Sequence, residues 1–133
     1  MPSEEKKRTA VVYIEDDPEM VELVTLILNR RGIEIRGALN GRHGLDLIAQ
    51  DPPDLILLDL MMPGLDGWDV YHQLKASSKT RSIPVIIITA KAQPIDRVLG
   101  LSIAKVDAYI SKPFRPQELL ESVELVLSIN KVG

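Results

Sequence analysis

Three runs along the chain are apolar without interruption: Ala10 to Ile14, Leu55 to Leu58 and Val85 to Ile88. A strand with one wet face alternates apolar and polar residues, whereas a strand covered on both faces does not. These runs therefore predict strands inside a parallel sheet. Weaker runs at Ile33 to Gly37 and Ala108 to Ser111 supply two more. Between the strands, apolar residues recur with a helical period. Pro18 to Arg31 sets Met20, Leu23, Val24, Ile27 and Leu28 on one face, and Gly41 to Gln50, Gly67 to Ala76, Pro94 to Ala104 and Arg115 to Ile129 follow the same pattern. At the first helix, Asp17 before Pro18 marks a capped start and Gly32 marks the end. Strict alternation of strand and helix predicts an α/β fold of (βα)5 type. This is a doubly wound five-stranded parallel sheet with right-handed crossovers and helices on both faces. Residues 9–129 make one domain, with tails at 1–8 and 130–133.

Composition narrows the function. With 133 residues the chain holds a single core, and 45% apolar with 26% charged side chains is ordinary for a soluble domain. The net charge of −3 gives no field to draw in nucleic acid or an anionic membrane, so neither is an expected partner. Without cysteine there are no disulfides, thiolate metal sites or cysteine nucleophiles, and a reducing cytoplasm is the expected compartment. His43 and His72 cannot make a zinc site by themselves, and both fall on predicted helices as surface residues. No apolar run approaches the ~20 residues of a membrane span, and the first residues lack a hydrophobic signal segment.

In a doubly wound sheet, ligands bind beyond the carboxyl ends of the strands. Glu15, Asp16 and Asp17 follow the first run, Asp59 the third, Thr89 ends the fourth, and Ser111 and Lys112 end the fifth. Carboxylates converging on one edge repel one another unless a cation sits among them. An all-oxygen set with few protein ligands suits Mg²⁺, which keeps waters and commonly shares a phosphate. Lys112 and Thr89 are then the expected donors to phosphoryl oxygens. Asp17 is best used as a helix cap. Asp59, ending Leu55-Ile56-Leu57-Leu58, is costly to bury without a partner and carries the functional reading.

The motifs Ile14-Glu15-Asp16-Asp17, Leu58-Asp59-Leu60-Met61-Met62-Pro63-Gly64-Leu65-Asp66-Gly67, Ile88-Thr89-Ala90 and Tyr109-Ile110-Ser111-Lys112-Pro113-Phe114 stand in order along residues 9 to 129. In them the chain resembles the response-regulator receiver domains of two-component signalling. The resemblance implies a CheY-like sheet of strand order 2-1-3-4-5 and a signalling phosphoacceptor rather than an enzyme. It implies that Asp59 accepts a phosphoryl group from a sensor histidine kinase or phosphotransfer protein. Asp16 would ligate Mg²⁺ directly, Glu15 through water, and Met61 through its backbone carbonyl. Thr89 and Lys112 would contact the phosphoryl group, with Tyr109 as a switch aromatic that turns inward on phosphorylation. The surface of the fourth helix, fifth strand and fifth helix would then signal to an output partner. The family commonly has the Lys112-Pro113 bond cis.

Two positions depart from the family. Lys105 stands where glycine is usual, so a positive φ there would be strained. Receivers that dimerise through the fourth helix, fifth strand and fifth helix use matched charges. Arg97 and Asp107 fit that set, whereas Ala108, Ser122 and Glu124 do not, so the chain is expected to stay monomeric. Trp68 is expected to be partly buried. A metal-dependent phosphatase would need a substrate cap for which there is no room. A flavodoxin-like cofactor binder would need a phosphate loop where this chain has acids. A pseudo-receiver acting only as a scaffold would not need Asp16, Asp59, Thr89 and Lys112 together.

Overall fold

The structure is a computed structural model that describes residues 8–91 and 93–132. Of the two expected tails, residues 1–7 and Gly133 lie outside the described residues. The chain runs β1 (Thr9–Ile14), α1 (Pro18–Asn29), β2 (Ile33–Ala38), α2 (Gly41–Gln50), β3 (Leu55–Leu58), α3 (Gly67–Ala76), β4 (Val85–Thr89), α4 (Pro94–Val98), a π-helical turn (Leu99–Ile103), β5 (Ala108–Ser111) and α5 (Pro116–Val132). The five strands form one sheet in the order β2-β1-β3-β4-β5, and every neighbouring pair is parallel.

The uninterrupted apolar runs have a direct cause. Val12, Ile14, Ile56, Leu58, Val85 and Ile87 face one core layer, which holds Ile48 of α2 with Val70, Tyr71 and Leu74 of α3. The intervening Val11, Tyr13, Leu55, Leu57, Ile86 and Ile88 face a second layer with Val24 and Leu28 of α1 and Leu119, Val123 and Val126 of α5. Across Val11 to Ile14, Leu55 to Leu58 and Val85 to Ile88 both parities are thus buried, and no position is left for an alternating polar residue.

Capping follows the sequence expectation at α1. The Asp17 side chain accepts from the Glu19 amide at 3.0 Å, and Gly32 takes a φ of 74° just beyond the helix. Among the described residues, no helix is long and apolar enough to cross a membrane.

The fourth helix departs from expectation. The periodic stretch Pro94 to Ala104 is not one α-helix: α4 ends at Val98 and the backbone widens into the π turn, closed by the Ala104 amide on the Leu99 carbonyl at 2.8 Å. Tertiary contacts account for the widening. Gly100 lies against the Tyr109 ring, and the Tyr71 hydroxyl of α3 donates to the Ala104 carbonyl at 2.7 Å. Lys105 follows with a φ of 63°, the left-handed conformation that glycine would adopt without strain. At the other end of the chain, the described helix α5 continues past Ile129 to Val132, into the stretch expected as a tail.

Candidate functional site

The parallel register of β1 and β3 pairs Ile14 with Leu58, so Glu15 and Asp59 leave adjacent strands at the same level. The Asp59 amide extends the ladder by donating to the Ile14 carbonyl at 3.1 Å, and the Glu15 amide donates to Ala38 across in β2 at 2.9 Å. Both carboxylates are buried, Glu15 at 1% exposure and Asp59 at 3%. Asp16 is exposed. One carboxylate oxygen from each of Glu15, Asp16 and Asp59 lies within 4.8 Å of the others. Asp17 serves instead as the α1 cap, which separates its role from that of Asp16.

The facing wall comes from β4 and β5. Thr89 is fully buried and pairs with Ser111, and the Lys112 amide donates to the Thr89 carbonyl at 2.9 Å. From there the Lys112 ammonium reaches across the sheet edge. It donates to Glu15 Oε1 at 2.5 Å and to Asp59 Oδ2 at 3.1 Å. The Lys112-Pro113 peptide bond is cis. Asp59 Oδ1 accepts from the Met61 amide at 3.0 Å, which turns the loop after β3 around the carboxylate. Gly67 at the start of α3 packs on the backbone of Asp59 and Leu60, where a Cβ would overlap the Asp59 carbonyl. The Thr89 hydroxyl accepts a long 3.4 Å bond from the Lys91 amide.

Burial and charge oppose each other in this cluster. Burial pushes the Glu15 carboxyl above its usual range, and the Lys112 hydrogen bond only partly offsets this. For Lys112, burial acts to lower the ammonium, but the bond to Glu15 and the charge of Asp59 outweigh it and hold the group above its ordinary value. Lys112 is therefore a firm cation at neutral pH. Glu15 has further donors: the Asp17 amide on Oε2 at 3.1 Å and the Tyr13 hydroxyl on Oε1 at 3.0 Å. Burial first, and the Glu15 charge second, push the Tyr13 phenol far up, so it stays a neutral donor.

Tyr109 is already turned inward. It is 4% exposed, its hydroxyl donates to the Lys91 carbonyl at 2.7 Å, and burial, followed by the Asp96 charge, pushes its phenol up to about 12. The Arg97 guanidinium stacks 5.4 Å from the ring centroid and donates to the Tyr109 carbonyl at 3.0 Å. Arg97 and Asp107, the two charges that fit the dimer set, and Glu124, which does not, are all engaged within the chain. Besides Arg97, the Asp107 carboxylate accepts from the Val85 amide at 2.8 Å, and Glu124 of α5 pairs with Arg31 at 2.6 Å. His43 and His72 are exposed, and Trp68 is half-buried beside Tyr71 with the two rings edge to face at 5.8 Å.

Residues 11–124 match the family described as the response regulator receiver domain. The chain belongs to that family. This receiver domain is 37% identical over 124 residues to the DNA-binding response regulator MtrA of Mycolicibacterium smegmatis, covering 93% of this chain and 53% of that protein. It is 38% identical over 117 residues to the DNA-binding dual master transcriptional regulator RpaA of Synechocystis, covering 88% of this chain and 48% of that protein. Its fold superposes with a TM-score of 0.85 on a putative response regulator from Chloroflexus aurantiacus, at 30% identity and covering 92% of this chain and 99% of that one. The receiver domain spans about half the length of the curated relatives it matches. Because those relatives are named as DNA-binding, the expectation of a function without direct nucleic-acid contact finds no support for a whole protein of this kind. The receiver is a component of two-component signalling rather than a classical enzyme.

The Tyr13 hydroxyl was not singled out by the sequence reading. The signal was available, since Tyr13 is the one residue of the run Ala10 to Ile14 with a polar side-chain atom, two positions before Glu15. The Arg97 stack on Tyr109 and the Arg31–Glu124 pair depend on helix placement and had no local signature.

Proposed function

We propose that this receiver domain takes a phosphoryl group onto Asp59 from a sensor histidine kinase or phosphotransfer protein and passes the change to an output partner through α4, the π turn, β5 and α5. The observation that carries the reading is the Asp59 carboxylate, 3% exposed, held by Lys112 on Oδ2 and Met61 on Oδ1 beside two further acids.

The donor set fits Mg²⁺: the clustered side chains are all carboxylates, and one of them, Asp16, is open to solvent. Asp16 and Asp59, with the Met61 carbonyl, are the residues to hold the ion directly, and Glu15 to hold it through water. When bound, Mg²⁺ neutralises charge on the phosphoryl oxygens. An Asp59 carboxylate oxygen attacks phosphorus in line and forms the P–O bond of an acyl phosphate. The P–N bond to the donor histidine breaks, and its electron pair returns to the imidazole nitrogen. Lys112, already bonded to Asp59, follows the charge onto the phosphoryl group, and the Thr89 hydroxyl, which among the described residues only accepts a long bond from the Lys91 amide, is available to donate to it.

Thr89 ends β4 and bonds Lys91 on the loop that follows, and the Lys91 carbonyl receives the Tyr109 hydroxyl. Phosphorylation therefore acts on an arrangement the unmodified chain can already adopt, by favouring the inward Tyr109 over alternatives. Moving such an equilibrium from 1:99 to 99:1 takes about 5.5 kcal/mol, a reasonable sum for several charge-assisted hydrogen bonds. The DNA binding named for MtrA and RpaA suggests transcription control as the output of a full-length regulator of this kind.

Titration with beryllofluoride and Mg²⁺, followed by calorimetry, tests this reading. The native chain takes up both together. Asp16→Ala weakens uptake more than Asp17→Ala, since Asp17 is occupied as a cap. No uptake by the native chain, or an equal loss in the two variants, would count against it.

A further inference from the structure

Tyr13 has its ring in the apolar layer beneath α1 and α5, and its hydroxyl ends on Glu15 Oε1, the oxygen that also takes the Lys112 ammonium. The same ammonium continues to Asp59 Oδ2. The result is a line of hydrogen bonds from a rigid core side chain through Glu15 and Lys112 to the phosphoacceptor. A phenylalanine would keep the same ring in this layer, so packing alone does not call for the hydroxyl. Glu15 has three rotatable bonds, and a carboxylate at 1% exposure must be oriented by whatever donors reach it.

We propose that Tyr13 is a positioning residue of the phosphoacceptor centre, its buried hydroxyl fixing the Glu15 carboxylate and, through it, the sharing of Lys112 between Glu15 and Asp59 and the seat of the divalent ion. This rests on the reading of Asp59 as phosphoacceptor with Mg²⁺. The phenol satisfies part of the Oε1 valence and tempers the hold of Glu15 on Lys112. The Asp17 amide anchors Oε2 from the opposite side. Without the hydroxyl, Glu15 draws Lys112 more strongly and is itself held by one donor fewer, which loosens the carboxylate beside Asp16 where the ion would sit. Donors behind a metal-binding carboxylate commonly set affinity by tenfold or more.

The test is Tyr13→Phe, which keeps the ring, read by calorimetric titration of the full chain with MgCl₂. A second readout is the Mg²⁺ dependence of labelling by acetyl phosphate. Mg²⁺ affinity is expected to fall roughly tenfold, with the labelling rate at saturating Mg²⁺ returning to within about twofold of native, a split that general loss of structure would not produce. Val11→Ala truncates a fully buried neighbour in the same layer without touching a polar group; it is expected to lower stability and leave Mg²⁺ affinity unchanged. Native affinity in Tyr13→Phe, or an equal loss in Val11→Ala, overturns the assignment of Tyr13 while leaving Asp59 labelling intact. A native chain that binds no Mg²⁺ overturns both this assignment and the reading it rests on.

Discussion

The ring of Tyr109 rests against Gly100 so closely that a Cβ at Gly100 would lie 2.7 Å from the ring's Cδ2. The π turn therefore carries a seat for the Tyr109 ring, and glycine is what leaves it open. Gly100→Ala is expected to push the ring out, break its bond to the Lys91 carbonyl and cost about 1–3 kcal/mol by overpacking. Urea unfolding reads the cost, and ring chemical shifts of Tyr109 read the displacement. Unchanged shifts would show that the ring does not depend on this seat.

Alkaline titration tests the burial of the aromatic hydroxyls. All three tyrosines hold their phenols above the ordinary value, burial being the leading cause at each, and Tyr109 is pushed up to about 12. The folded chain should show little tyrosinate absorbance at pH 10, where the unfolded chain is half ionised. The unfolded state then gives up phenolic protons first, so stability is full below pH 10 and falls as pH rises toward 12. Lys112 adds the same sign, because its raised ammonium value makes its contribution vanish as the pH passes through it. Substantial tyrosinate at pH 10 in the native chain would contradict the packing described.

Lys105 sits at a φ of 63° and is exposed. Lys105→Gly removes the left-handed penalty on a side chain, partly countered by the greater freedom of glycine in the unfolded chain. A net gain of about 0.5–1 kcal/mol in urea unfolding is expected. A loss would show that the lysine side chain makes a compensating contact.

The sequence showed most of the fold because burial on both faces leaves a visible mark. Leu55 to Leu58 and Val85 to Ile88 are apolar at both parities since each parity meets its own helical layer. Asp59, Glu15 and Lys112 were legible for the complementary reason, as charged groups adjoining such runs need a partner. The break in the fourth helix was not legible. Its apolar period continues through Ile103, and what widens it comes from Tyr71 on α3 and Tyr109 on β5, distant in sequence.

Glu124 bears on assembly. Its carboxylate bonds Arg31 at 2.6 Å and ties α5 to the end of α1, although at 45% and 46% exposure the pair is worth only about 0–1 kcal/mol. With Arg97 also turned toward Tyr109, the charge-matched dimer through α4, β5 and α5 lacks its partners. Sedimentation of the beryllofluoride-bound chain at micromolar concentration should find a monomer. A tight dimer abolished by Arg97→Ala would contradict this.

The central claim is that Asp59 accepts the phosphoryl group, and peptide-resolved mass spectrometry after incubation with acetyl phosphate and Mg²⁺ tests it most directly. The account predicts one added phosphoryl group, sensitive to hydroxylamine as an acyl phosphate must be, located on Asp59 and absent from Asp59→Asn, whose amide is not a nucleophile. Equal labelling of Asp59→Asn, or a phosphoryl group found on another residue of the native chain, would contradict it.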